Sequence, residues 1–318
     1  MNASNKTDHN QSCFGTYMHL VYLSFIGVAG ITSNILLLYA DYREWKKNKT
    51  PDKVLICSIG ISNIIILKFG VLLRFIFVSR YRELVECIGH VHRIRGVEIS
   101  LFVFVLLVVT GTLPVLALDR YEALTKFPHQ RTLTLKKTIF LLSLVWSLCL
   151  GLSISAFLKY PQQCIPVISK TLNQQQRIHI RLVKLGILLT WLIICIYICA
   201  WYLHRASKTI RNHRQRINDM FGLRQASIEI TFTKSVTALL LCYSLSVIPL
   251  AVSSGIFSFN QGSIKWSCAS LWTSTNIYLS FVFIPVIYFV MDKRLLKNLV
   301  GKKDEQTNVV HPSKDITK

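Results

Sequence analysis

Six stretches of this 318-residue chain run for about 20 residues without a single Asp, Glu, Lys or Arg. They are Leu20–Ala40, Ile99–Leu118, Thr138–Leu158, Leu185–Leu203, Ser235–Ile264 and Trp266–Met291. At about 1.5 Å per residue, roughly 20 residues of helix cross about 30 Å of hydrocarbon, so each run is long enough to span a bilayer. The last two exceed that length and meet in the polar stretch Ser258–Cys268, which reads as a loop. A seventh span is interrupted. Val54–Leu67 is uncharged but too short alone, and its continuation to Val78 carries Lys68 and Arg74. Both basic groups then have to snorkel or face a wet cavity. The 37 Lys and Arg against 15 Asp and Glu give +22, a balance that would suit a nucleic-acid binder. With 52% hydrophobic and only 16% charged residues gathered into such runs, that class is excluded, and no nucleic acid is expected as a partner.

Orientation follows from the flanks. Asn2, Asn5 and Asn10 each begin a glycosylation sequon ahead of the first span, which favours an extracellular N-terminus. No apolar stretch precedes Leu20, so the first span is expected to act as a signal anchor. The basic clusters Arg43–Lys53, Arg205–Arg224 and Lys293–Lys303 then all fall inside, as positive charge should. Asn48-Lys49-Thr50 is a further sequon, but on the cytosolic side it stays bare. Three segments are expected: a glycosylated extracellular N-terminus at 1–17, a seven-helix domain with a short juxtamembrane helix at 18–300, and a disordered cytosolic tail at 301–318. The fold class is all-α, a seven-transmembrane helix bundle with its N-terminus extracellular and its C-terminus cytosolic.

Several motifs fall on these spans in order. Asn34 lies in span 1, Asp119-Arg120-Tyr121 at the inner end of span 3, and Trp146 in the middle of span 4. Pro249 is placed to kink span 6, and Pro285-Val286-Ile287-Tyr288 lies near the inner end of span 7. Taken singly, an acid–base pair at a helix end is ordinary interfacial snorkelling. Together, from Leu20 to Val300, the set resembles the rhodopsin-like (class A) G-protein-coupled receptors. The resemblance implies a multi-pass plasma-membrane receptor that passes binding of an extracellular ligand to heterotrimeric G proteins by helix rearrangement. It also implies a protein that is not an enzyme and needs no cofactor. Its switch residues would be Asp119, Arg120, Tyr121, Pro249, Pro285 and Tyr288, with one more acid. A guanidinium at the inner end can pair with Asp119 and with an acid on another helix. The family's second acid lies 20 residues before the span-6 proline, and here that position is Glu229. The alternative is that Glu229 is a solvated interfacial acid.

The departures from the family are equally specific. Asn63 stands where span 2 usually has an aspartate that helps bind sodium, Ile284 precedes Pro285 in place of an asparagine, and Val247 replaces a common tryptophan. Span 5 lacks its usual proline. The activation relay is therefore expected to be more apolar than in typical members, as in chemosensory and orphan branches. This leaves room for an alternative reading, a non-signalling seven-transmembrane scavenger or dimer partner.

Five of the nine cysteines fall within spans, where a thiol is a small packed apolar group. Cys13, Cys87, Cys164 and Cys268 land outside, where four thiols allow three disulfide connectivities. The resemblance implies Cys87–Cys164 and, as in some peptide receptors, Cys13–Cys268. Cys87 is nevertheless 33 residues before Arg120, where the family's usual spacing of 25 falls on Arg95. His90 and His92 near Cys87 read as solvated loop residues, so no metal is expected.

The resemblance also bears on the ligand. Phe102 occupies the span-3 position of the amine receptors' aspartate, and span 7 has no lysine for a retinal Schiff base. Neither an aminergic receptor nor a photopigment is expected. The outer half is basic, and Lys68, Arg74, Arg95, Arg181 and Lys184, with Glu98 and Phe102, are the candidate ligand-binding residues. They suggest an anionic ligand. The competing explanations are that the basic groups snorkel to lipid headgroups and that Glu98 neutralises one of them. Membrane lipids account equally for the basic inner patches.

Overall fold

The computed structural model describes residues 16–79, 89–126, 130–158, 174–212, 230–249, 252 and 264–291. Among them lie seven long helices and no strand. They are α1 (Thr16–Trp45), α2 (Pro51–Ile65, continued by a wide turn at Ile66–Gly70 and by Val71–Ser79), α3 (Gly89–Thr125), α4 (Leu135–Leu158), α5 (Gln174–Asn212), α6 (Ile230–Pro249) and α7 (Ile264–Met291). Each corresponds to one of the spans read from the charge-free runs. The interrupted seventh span is a real helix: Pro51–Ile76 is apolar over 26 residues. The N-terminal glycosylation sites at Asn2, Asn5 and Asn10, and the tail 301–318, lie outside the described residues.

Local chemistry explains the helix starts. Thr50 is extended, Pro51 occupies the first turn where no amide partner is needed, and Asp52 follows at the positive end of the helix dipole. Further along, α2 opens into a π turn at Ile66–Gly70. Through this turn Lys68 and Phe69 face outward while Ile66, Leu67, Gly70 and Arg74 stay buried.

Two helices are much longer than the runs suggested. α3 begins at Gly89, ten residues before Ile99, and its 37 residues extend about 55 Å. Nothing from Gly89 to Glu98 forces a break, because charge alone does not end a helix. Pro114 lies inside α3 without interrupting it. α5, at 39 residues, carries on to Asn212. The basic stretch Arg205–Arg224 reads as a loop between spans, but its first eight residues, Arg205–Asn212, continue α5. No Gly or Pro stops the helix there, and Arg205 stacks its guanidinium 4.6 Å from the Trp201 ring.

α3 is the central helix, with 67% of its most apolar window buried against 17% for α4. It packs on α2, α4 and α5, while α1 packs on α2 and α7. One continuous core links these helices through Leu23, Ile59, Val105, Leu116, Leu239, Tyr243 and Phe281. Apolar residues such as Phe140, Ile193 and Tyr197 cover the outside as well. In lipid, an apolar interior gains nothing over an apolar exterior, so interior hydrogen bonds and close packing hold the helices in register. Trp146 Nε1 donates to Ser58 Oγ (2.9 Å), Trp191 Nε1 to Thr110 Oγ1 (3.2 Å), and Tyr243 Oη to the Leu106 carbonyl (3.2 Å). Gly30 marks a close approach of three helices: a Cβ there would sit 2.7 Å from Leu67 Cδ1 on α2 and 3.0 Å from Val282 Cγ2 on α7.

Candidate functional site

Three polar clusters lie along the axis of the bundle. The first surrounds Asp119-Arg120-Tyr121 near the C-terminal end of α3. Arg120 Nε donates to Asp119 Oδ2 at 3.0 Å, and Nη2 bonds the same oxygen. Its Nη2 also lies 3.7 Å from Asp52 Oδ1 on α2. The guanidinium stacks 4.3 Å from the Phe232 ring of α6, and Phe232 packs on Tyr288 of α7 with centroids 5.8 Å apart. Tyr288 is fully buried, and its hydroxyl makes no hydrogen bond among the described residues. Tyr121 turns away toward α5, packing on Tyr202 and on the small cluster of Leu124 and Ala206. Arg120 therefore touches or nearly touches α2 and α6 while bonded within α3. Glu229 lies outside the described residues, as do 250–251 and 253–263 beyond Pro249.

The acids that flank this cluster were not singled out by the sequence reading. Asp52 and Lys53 sit in the first turn of α2, and Lys53 Nζ lies 3.5 Å from Asp41 Oδ1 on α1. Glu122, next to Tyr121, anchors the connection to α4. Its carboxylate accepts from the Thr132 and Leu133 amides, both at 2.9 Å, from Lys126 Nζ at 2.7 Å, and from the Thr132 hydroxyl. In sequence, Asp52 looks like an ordinary helix-dipole acid and Glu122 like an exposed one. The usable signal was that Asp41 and Asp52 are acids within and beside a basic cluster at a span end.

The second cluster is at mid-depth. Asn34 Nδ2 donates to the Gly30 and Phe281 carbonyls at 2.8 and 2.9 Å, tying α1 to α7, and Asn63 Nδ2 donates to Asn34 Oδ1 at 3.1 Å. Asn63 thus serves as a donor between helices, and its own Oδ1 is buried without a partner among the described residues. Val247 and Ile284 are buried apolar residues, as an apolar relay requires.

The third cluster lies toward the far end. Arg74 Nη1 on α2 pairs with Glu98 Oε1 on α3 at 3.1 Å, with both side chains buried. His19 Nε2 on α1 lies 3.1 Å from Thr275 Oγ1 on α7, and Tyr22 Oη donates to Asn276 Oδ1 at 3.1 Å. Phe102 packs on Tyr278 with centroids 6.0 Å apart. Arg74, Glu98 and Phe102 are therefore brought into one region. Lys68 is not: it is exposed on the outside of α2, its ammonium 5.3 Å from the Phe69 ring, one position past the buried stripe of Asn63, Leu67, Gly70 and Arg74. That corrects its grouping with Arg74. Arg95 lies on α3, and Arg181 and Lys184 on α5, but their side chains are outside the described set, as is that of Cys268 on α7. Cys13, Cys87 and Cys164 lie outside the described residues altogether. Cys57, Cys149, Cys195, Cys199 and Cys242 are free thiols within the helices. Among the described residues, no three His, Cys, Asp or Glu side chains converge to hold a metal ion.

Seven apolar helices, six of them around a central α3 with a charged cluster at its end, define a multi-pass membrane protein with the architecture of a heptahelical receptor. The profile of the 7 transmembrane receptor (rhodopsin family) matches residues 33–292, and the chain belongs to that family. Among solved structures it is similar to squid rhodopsin, with a TM-score of 0.67 and 14% identity. That match covers 90% of this chain and 85% of the other. At that identity the likeness establishes the fold. No curated protein sequence matches the chain.

Proposed function

We propose that the chain is a plasma-membrane receptor, N-terminus outside, that couples an extracellular ligand to heterotrimeric G proteins through Arg120. The observation that carries this reading is the seat of Arg120. It is bonded to Asp119, close to Asp52, and stacked on Phe232. A cation held by contacts to three helices is a two-position element: shifting one helix changes its partners. Opening of the bundle floor at that end would expose the Arg120 face to a G protein. Glu229 is the acid proposed to hold Arg120 from the α6 side.

The ligand is proposed to enter between the helix ends around Arg74, Glu98, Phe102 and Tyr278, with Arg95, Arg181 and Lys184 on the approaches. An anionic group reaches Arg74 only by displacing Glu98, so Glu98 sets how strongly charge contributes to binding. The disulfides Cys87–Cys164 and Cys13–Cys268, and glycans on Asn2, Asn5 and Asn10, belong to this reading of the outer face. A second reading, a non-signalling scavenger or dimer partner, is favoured by the buried Val247 and Ile284 and by Asn63.

The test needs no ligand. Wild type, Glu229→Ala and Arg120→Ala are brought to the surface with an extracellular tag, and basal nucleotide exchange is measured on a panel of G proteins. Raised exchange in Glu229→Ala with loss in Arg120→Ala is expected. Equal background exchange in all three shifts the weight to the non-signalling reading.

A further inference from the structure

The Arg120 end holds more fixed charge than a two-residue motif requires. Asp41 on α1, Lys53 and Asp52 on α2, and Arg120 and Asp119 on α3 alternate in sign across three helices. Lys53 Nζ lies 3.5 Å from Asp41 and 3.9 Å from Asp52, and Arg120 Nη2 lies 3.7 Å from Asp52 on its other side. All four other members are buried, and the Lys53 side chain is only 13% exposed. Charges in such a setting are costly unless each is balanced, so the position of one depends on the neighbour beside it. Asp52 is the member shared by two cations.

We propose that Asp52 is a positioning residue for Arg120, and that Lys53 and Asp41 set how tightly it holds. The proposal rests on the receptor reading above and adds to it a grip from the α1–α2 side. Arg120 stacks on Phe232 of α6, so its distance from Asp52 also determines how it sits against α6. Lys53 competes with Arg120 for the Asp52 carboxylate, and Asp41 draws Lys53 away. Three substitutions therefore have definite and different signs. Asp52→Asn removes the grip. Asp41→Asn frees Lys53 to occupy Asp52 and weakens it. Lys53→Gln leaves Asp52 with Arg120 as its nearest cation, repelled by Asp41 on the far side, and strengthens it.

Two measurements on the full-length chain test this. In basal nucleotide exchange, Asp52→Asn is expected to rise about fivefold, the equivalent of about 1 kcal/mol. Asp41→Asn should rise less, and Lys53→Gln should fall below wild type. A rise in both Asp52→Asn and Lys53→Gln would overturn the competition, because general loosening predicts one sign for both. The second measurement needs no G protein. Thermal unfolding in detergent is compared for Asp52→Asn, Arg120→Gln and the double variant, in wild-type and Lys53→Gln backgrounds. The two substitutions should be non-additive, and more so with Lys53→Gln. Additive effects would overturn the proposal whatever the exchange assay gives. Clear coupling with background exchange in every variant would uphold the grip of Asp52 on Arg120 and overturn the receptor reading instead.

Discussion

Arg74 of α2 and Glu98 of α3 form an ion pair of 3.1 Å inside the bundle, each buried from the surface. The pair explains how a helix with an arginine in its apolar stretch still packs inward. Buried positions recur every three or four residues through Asn63, Leu67, Gly70 and Arg74, so Arg74 meets Glu98 while Lys68 meets the outside. Removing one partner takes away the nearest opposite charge of the other in a low-dielectric interior. Arg74→Met alone should therefore cost about 3–5 kcal/mol, whereas Arg74→Met with Glu98→Leu should recover most of that loss. The check is the apparent melting temperature of the purified protein in detergent. Equal losses in the single and double variants would mean that the pair does not hold α2 to α3.

Glu98 should also govern affinity for an anionic ligand. With Glu98→Gln the Arg74 guanidinium loses its carboxylate partner, so an anionic ligand no longer has to displace one. Binding of such a ligand, once identified, is expected to tighten on Glu98→Gln and to be lost on Arg74→Met, measured by radioligand saturation. A ligand whose affinity ignores both substitutions does not use this site.

Glu122 makes a separate, local prediction. Its carboxylate holds the Thr132 and Leu133 amides at 2.9 Å. Glu122→Ala removes both acceptors, and hydrogen exchange at those two amides should accelerate by about tenfold, the equivalent of about 1.4 kcal/mol. The amides of α4 beyond Thr138 should be unchanged. Acceleration spread evenly through α4 would point to general destabilisation instead.

Two glycines should respond in opposite directions. Alanine at Gly30 would have to push back Leu67 and Val282, at a cost of about 1–3 kcal/mol. Gly151 on α4 has nothing among the described residues within 4 Å of a Cβ, so Gly151→Ala should be neutral or stabilise by up to about 1 kcal/mol through helix propensity. Melting temperatures of the two variants, measured side by side, decide it. A loss at Gly151 equal to that at Gly30 would mean that close packing is not what separates them.

Asn34 carries the mid-depth contact between α1, α2 and α7. Replacing it with leucine strands the Phe281 carbonyl and the Asn63 amide, and should cost about 1–2 kcal/mol. Asn34→Asp keeps an acceptor for Asn63 but cannot donate to the carbonyl when ionised, so it should not rescue. The same thermal assay distinguishes them.

The seven helices were legible in the chain because hydrocarbon imposes a one-dimensional rule. A backbone crossing it has to be helical and about 20 residues long, and charge-free runs of that length show directly in the sequence. The Asp119-Arg120-Tyr121 motif was legible for the same reason, since it falls where an apolar run stops. Helix ends beyond the hydrocarbon follow no such rule. That is why α3 starts at Gly89 and α5 continues to Asn212 through residues that read as loops. Which polar groups meet across helices was not legible either. Asp41, Lys53 and Asp52 looked like parts of a basic flank until the packing of α1, α2 and α3 set them in alternation beside Arg120. Lys68 and Arg74 looked equivalent until the packed helix put one outside and the other against Glu98. Partners on different helices are chosen by rotation about each helix axis, and a single inserted residue changes that rotation. The chain alone determined how many times it crosses the membrane, but only tertiary packing decided which charges face each other inside it.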